Sequence, residues 1–393
     1  MPGDSSSTPV ERVTRRALWR RVAGWTVRVL GALVLALLLA EGALRILGAR
    51  LPPRPPHVNT HLVKSVSDEN WPGLGLVLRR GSSGESVYPG VDGEEERRVS
   101  YKINGRGFRD RQMTVEKPPG SYRIAMLGDS FTYGTGLDIE DTLSRQLERE
   151  LSALLPETPI QVINCGVPAT HAGEQVALLR YRVRQIQPDM VIITASLEDT
   201  AGFAIPSRKN RGPRWESEWI LRLGLTSGRV EDDTATLSPA QARLQPWRHR
   251  SVLVDLLANK TFAYLHGRLA STSYHENWMP DAPGVARLRE VLGDAAAMAR
   301  EDGFALRVHL YPSLLVLTDE YPFATEIGRF ADICRDLDIP FLDLLEPLLG
   351  ADAASLRVHP HDRHPSAEAH ALVTPWIAQR ILPVIEADIA AWQ

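Results

Sequence analysis

The sequence predicts an α/β fold. A parallel sheet has helices on both sides, behind an N-terminal membrane-spanning helix and a small β-rich segment. Three observations lead there. From residue 121 onward, apolar runs of five to eight residues alternate with helical segments, the order that builds parallel sheets. The runs are continuous rather than alternating, as expected of strands covered on both faces. Ahead of them, residues 22–40 form one apolar stretch behind a cluster of arginines.

The elements follow in chain order. Residues 1–21 read as a cytoplasmic basic tail carrying Arg12, Arg15, Arg16, Arg20 and Arg21. VAGWTVRVLGALVLALLLA, residues 22–40, is broken only by Arg28; as a helix it spans ~28 Å at ~1.5 Å per residue, close to a bilayer core. Arg28 sits near the basic end, where a long side chain snorkels to the headgroups. We read residues 22–47 as an uncleaved anchor. The rival is a cleaved signal peptide, with Leu38 and Ala40 as its processing site. In both readings the arginines stay in the cytoplasm and the chain after residue 50 lies outside it.

Residues 48–120 are a linker and a β-rich attachment. LPPRPP (51–56) is stiff, VSYKI (99–103) reads as a strand and NGRG (104–107) as a turn. From 121 to 393 the strand candidates are RIAML (123–127), IQVINC (160–165), DMVIITAS (189–196), ALRVHLYP (305–312) and PFLDLL (340–345). Helices are expected near 141–154, 173–186, 284–302 and 324–337, and over 366–391 with a break at Pro375 or Pro383. Residues 200–283, with Trp215, Trp219, Trp247 and Trp278, read as an insertion that packs onto its host, helical around 250–269.

Bulk numbers exclude several functions. The net charge is −3, from 45 Lys and Arg against 48 Asp and Glu, so no basic excess exists for nucleic acid. Cys165 and Cys334 make neither a disulfide framework nor a zinc site and read as buried and free. His359, His361 and His370 lack a metal-binding frame, as does His275-Glu276; no metal and no cofactor is expected. Asn259-Lys260-Thr261 matches a glycosylation pattern inside a helical segment. The EEERR run (94–98) reads as a solvated face.

In an open α/β sheet the loops at the carboxyl ends of the strands form the site. Here those ends carry Gly128-Asp129-Ser130, then Asn164-Cys165-Gly166, then Ser196-Leu197-Glu198-Asp199. HPHDRHPSAEAH (359–370) follows late in the chain. A serine hydroxyl needs a base, and the base needs a carboxylate. Ser130 is the candidate nucleophile, His364 the base and Asp362 its orienting acid, reached through an extended DxH. Backbone N–H groups of Ser130 and Gly166 are candidate oxyanion donors. Asp129 reads as structural, bonding loop amides.

These blocks resemble the SGNH hydrolase superfamily, also called GDSL-like esterases. The likeness covers about residues 121–393, in family order: GDSFTYG, VINCGVP, SLED and DRH. INGRGFRD (103–110) also resembles a segment preceding the catalytic domain in membrane-anchored bacterial members. The resemblance implies a flavodoxin-like three-layer sandwich and an ester hydrolase with Ser130, His364 and Gly166 in the family roles. Two blocks depart from the pattern. Glu198 stands where the family has an oxyanion-binding asparagine, and Ser196 replaces a glycine. His361, not an acid, has the DxxH spacing to His364.

Two functions stay open on the sequence. One is a membrane-anchored serine esterase or O-acyltransferase, its domain in the periplasm or outside the cell, acting on acyl esters of envelope or extracellular carbohydrate or on a small ester. The other is an SGNH-like protein that binds glycan or acyl groups without turnover, because an ionised Glu198 repels the oxyanion. A purely structural anchor protein is a third idea; it requires Ser130 and His364 to lie far apart.

Overall fold

The structure is a computed structural model. It describes residues 9–46, 62–65, 72–90, 95–197, 250–251, 253–254, 278–314, 317–318, 320–359 and 362–392. The chain divides into two units, residues 1–54 with 239–265, and residues 55–238 with 266–393.

The first unit is built on α1 (Pro9–Ile46). Its segment Ala23–Ile46 has a mean hydropathy of 2.1 and is long and apolar enough to cross a membrane. The helix outruns the apolar stretch because no proline interrupts it after Pro9, and Arg45 pairs with Glu41 one turn back at 2.7 Å. Glu41 also accepts hydrogen bonds from Ser251 Oγ (2.8 Å) and the Leu253 N–H (2.9 Å). Arg45 donates to the Arg250 carbonyl at 3.0 Å.

The second unit opens with four short strands, β1 (Val63–Ser65), β2 (Leu76–Leu78), β3 (Ser83–Tyr88) and β4 (Arg97–Lys102). They pair antiparallel as β1-β2 and β3-β4. Their apolar side chains, Val77, Leu78, Val99 and Tyr101 among them, join the main core rather than forming one of their own.

The main sheet has five strands: β5 (Tyr122–Gly128), β6 (Ile160–Asn164), β7 (Met190–Ala195), β8 (Ala305–Leu310) and β9 (Phe341–Asp343). All pair parallel, in the order β6-β5-β7-β8-β9, the flavodoxin-like order with its switch point at β5. Every residue of β5 and β7 is buried, because each face is covered. Ala125, Leu127 and Val191 face one core with α4 (Ala172–Leu178), α5 (Pro283–Asp302) and α6 (Ala324–Asp336). Ile124, Met126 and Ile192 face the other with α3 (Leu143–Leu154) and α7 (Ala367–Ala391). This is the three-layer α/β sandwich expected.

Two helices differ from expectation. The one expected over 173–186 is α-helical only to Leu178. A π turn (Leu179–Val183) and a 3₁₀ turn (Arg184–Ile186) finish it. Gln187 ends it at φ +51°, ahead of Pro188, which disfavours helical backbone in the residue before it. The C-terminal helix α7 is not broken by its prolines. Pro383 is exposed and Pro375 half-buried, and the residues four back, Ala371 and Gln379, face solvent. Val373, Ile377, Ile381 and Ile385 stay fully buried on the inner face.

Candidate active site

The turn that carries Ser130, the candidate nucleophile, is set by β5. The strand ends at Gly128, and the chain doubles straight into α2 (Ser130–Tyr133). Gly128 is required there: a Cβ would strike the Thr132 side chain and lie 2.8 Å from the Thr194 carbonyl. Asp129 caps α2, accepting the Phe131 N–H at 2.8 Å. Ser130 is the first helical residue and is 3% exposed. Its N–H lies in the first turn, where a helix supplies no acceptor. Gly134 closes α2 in the left-handed conformation, φ +80°.

The candidate base and acid come from β11 (Asp362–Pro365), which pairs with β10 (Arg357–His359). A strand repeats its face every second residue, so Asp362 and His364 share one side and the exposed Arg363 takes the other. Asp362 Oδ1 accepts from the His364 N–H at 3.0 Å and hydrogen-bonds His364 Nδ1. Its Oδ2 accepts from the Tyr88 hydroxyl at 3.3 Å. Burial pushes the Asp362 carboxyl up, but the His364 charge and hydrogen bonds, with that of Tyr88, outweigh it and leave it below the usual carboxylate value. β11 packs on α2. The ring of Phe131, next to Ser130, stands edge-on to the His364 ring at 5.6 Å. His364 and Asp362 thus form a bonded pair on β11, and β11 packs on α2, the short helix that begins with Ser130.

The loop after β6 lies beneath α2. A Cβ on Gly166 would be 2.8 Å from Thr132 C and 2.9 Å from Tyr133 Cα, so only glycine fits. The Gly166 N–H donates to Asn164 Oδ1 at 3.0 Å; serving an oxyanion would mean leaving that bond. Asn164 Nδ2 donates to the Thr132 carbonyl at 2.8 Å. Further along, Ala169 holds φ +62°, a conformation that costs a non-glycine residue ~1 kcal/mol or more.

The attachment braces this assembly. Arg109, 1% exposed, donates to the Tyr133 carbonyl at 2.8 Å and to those of Gly134 and Leu137. Its guanidinium lies 4.4 Å from the Tyr101 ring centroid and 4.9 Å from that of Tyr133. Asp110 accepts the Asn164 N–H at 2.8 Å and forms a buried ion pair with Arg145. Burial pushes the Asp110 carboxyl up, against the pull of Arg145 and of the Asn164 and Arg111 amides. The Gly136 N–H donates to the Tyr101 hydroxyl at 2.9 Å.

Sequence reasoning assigned no role to Tyr88, Tyr101, Arg109, Asp110 or Asn164. The usable signals were an Arg-Asp pair directly after a turn and a polar residue ending the apolar run IQVIN. Glu198 and His361 lie outside the described residues, as do Asp199, Trp215, Trp219, Trp247, His275, Asn259 and the linker 51–56. Trp278 is fully buried against Phe330 and donates to the Leu197 carbonyl at 3.1 Å; it packs the end of the insertion onto the core. His359 Nε2 bonds the Pro89 carbonyl, and His370 Nδ1 that of Asp141, both at 3.2 Å. Cys165 and Cys334 are buried and free, and burial raises both thiols, Cys334 to about 12.

Residues 126–372 match the sequence profile of the GDSL-like lipase/acylhydrolase family. The chain belongs to this family. The match opens two residues before the GDS turn and runs into α7, so it takes in both edges of the site. Solved structures of similar fold include a putative lipolytic protein of the G-D-S-L family from Desulfitobacterium hafniense. It is 13% identical at a TM-score of 0.37, covering 66% of this chain and 99% of that one. An esterase from Pseudoalteromonas is 13% identical at 0.39, covering 68% and 100%. An acetylxylan esterase from Geobacillus stearothermophilus is 14% identical at 0.40, covering 67% and 95%. No curated protein sequence matches the chain.

Proposed function

We propose that this GDSL-family protein is a membrane-anchored serine esterase or O-acyltransferase. The observation that carries the reading is the His364–Asp362 pair on β11, packed against the short helix that begins with Ser130. Ser130 Oγ attacks an ester carbonyl. His364 takes the serine proton through Nε2, since Nδ1 is turned to Asp362, and Asp362 stabilises the imidazolium. The Ser130 N–H meets the developing oxyanion. Collapse releases the alcohol, which receives the proton from His364 and leaves an acyl group on Ser130. Water then attacks that acyl group in an esterase, a sugar hydroxyl in a transferase. Gly166 joins the oxyanion site if its N–H leaves Asn164, and Glu198 only if its carboxyl is protonated.

α1 supports the anchored reading, with residues 22–47 in the inner or cell membrane, the arginines of residues 1–21 in the cytoplasm and residues 121–393 on the far side. The proposed substrate is an O-acetyl ester of an envelope or extracellular carbohydrate. Acetate release from an acetylated polysaccharide, by the full chain in detergent, tests it. Release lost in Ser130→Ala and His364→Ala supports the reading. Equal release by wild type and both variants refutes it.

A further inference from the structure

The Asp362 carboxylate divides its two oxygens. Oδ1 serves His364, through Nδ1 and the backbone N–H, while Oδ2 receives the hydroxyl of Tyr88 at 3.3 Å from a residue 274 positions earlier. Tyr88 ends β3, in the attachment, and is 1% exposed. We propose that Tyr88 is a positioning residue of the hydrolytic site, a fourth member that fixes the rotation of Asp362 so that Oδ1 stays in line with His364 Nδ1. The proposal rests on the reading of Ser130, His364 and Asp362 as the catalytic set.

Three features make this more than a packing contact. First, the donor direction is fixed. Burial pushes the phenol far above its ordinary value and the neighbouring Asp362 pushes it further, so Tyr88 keeps its proton and the ionised carboxylate accepts it. Second, the ring is held from its surroundings. The Arg97 guanidinium lies 5.1 Å from its centroid and the His359 ring 6.1 Å away. Third, the nucleophile's own loop makes room for the hydroxyl. Gly136 sits at φ +80°, and a Cβ there would lie 2.7 Å from the Tyr88 oxygen. The last glycine of GDSFTYGTG, Gly136, is therefore where this loop admits a side chain from the attachment. Among the described residues, the charged and titratable groups around the Tyr88 hydroxyl and Asp362 are His364, Tyr101, Arg97 and His359.

The consequence is electronic as well as geometric. A hydrogen bond to Oδ2 stabilises the carboxylate and lessens its hold on the imidazolium. Removing it leaves Asp362 freer to turn and more basic, so kcat falls while the pKa of His364 rises.

The test uses the full chain in detergent with p-nitrophenyl acetate. Tyr88→Phe should lower kcat roughly 3–10-fold at unchanged KM. It should also raise the acid limb of the kcat/KM profile by ~0.5 pH unit, with thermal unfolding within a few degrees of wild type. 3-Fluorotyrosine at position 88, a stronger donor of nearly the same size, should move that limb the opposite way. In an Asp362→Ala background, Tyr88→Phe should change the residual kcat less than about twofold, because the partner is gone. An unchanged kcat and pH profile in Tyr88→Phe, with wild-type activity that depends on Ser130, overturns the proposal alone. So does the same fold-loss in both backgrounds, which marks a structural role. Activity that survives Ser130→Ala overturns the catalytic reading itself, and the proposal with it.

Discussion

Replacing Asp110 by alanine strips a buried arginine of one of its two carboxylates. The side chains of Asp110 and Arg145 are each 3% exposed, and breaking such a pair from one side costs ~3–5 kcal/mol. Arg145 keeps Glu148 Oε1 at 2.6 Å and the Val162 carbonyl at 3.1 Å, which trims that loss. The Asn164 N–H, now 2.8 Å from Asp110 Oδ2, loses its acceptor, which adds ~1–3 kcal/mol. The expected destabilisation is about 4 kcal/mol. Urea unfolding of the full chain in detergent, followed by tryptophan fluorescence, reads it. The double variant Asp110→Ala/Arg145→Met should recover at least ~1 kcal/mol, because no half-paired buried guanidinium remains and Glu148 keeps Arg111. The candidate site should respond too, since Asn164 holds the Thr132 carbonyl of α2, the helix that begins with Ser130; phosphonylation of Ser130 should slow in the single variant. A loss under ~1 kcal/mol, or no recovery in the double variant, would refute the claim that the 103–110 segment locks onto the catalytic domain.

Two further outcomes follow from the same geometry. Gly166→Ala should destabilise by ~1–3 kcal/mol and abolish esterase activity, because its Cβ drives into the backbone of α2; wild-type kcat in that variant would contradict the close approach. Acid should also weaken the fold: burial, with Arg307 nearby, pushes His309 down to about 3, and burial pushes His370 to about 4 against the pull of its bond to the Asp141 carbonyl. The unfolded chain protonates both near ~6.5, so it binds more protons than the folded chain between that value and theirs, and stability falls as pH drops through that window. At pH ~5 each contributes about 2 kcal/mol of loss relative to pH 7, so urea midpoints at the two pH values should converge in His309→Gln and in His370→Gln.

The sheet was legible in the sequence because burial on both faces writes unbroken apolar runs. RIAML, DMVIITAS and ALRVHLYP each fell within a residue or two of a strand end. Ser130, Asp362 and His364 stood out because their chemistry is local: a serine on a tight strand-to-helix turn, and an acid and histidine two apart in extended chain. What bound them to the rest was not local. Tyr88 reaches Asp362, and Arg109 reaches the end of α2, only after the chain has folded back. Nothing in INGRGFRD or SVY announces a hydrogen bond to a residue far along the chain. Gly134 and Gly136 carried the other half of that signal. A Cβ at Gly134 would press on Arg109, at 3.1 Å, and one at Gly136 on Tyr88. The prolines of α7 misled because their position on the outer face was invisible before the inner face was known.

The central claim is that Ser130 is a nucleophile activated by His364 and Asp362. Its most direct test is intact and peptide mass spectrometry of the full chain after exposure to a fluorophosphonate. The account predicts one phosphonyl adduct per chain on the peptide carrying Ser130, absent in Ser130→Ala and formed far more slowly in His364→Gln. A folded wild-type chain that gains no adduct, or gains it equally fast without His364, would contradict it.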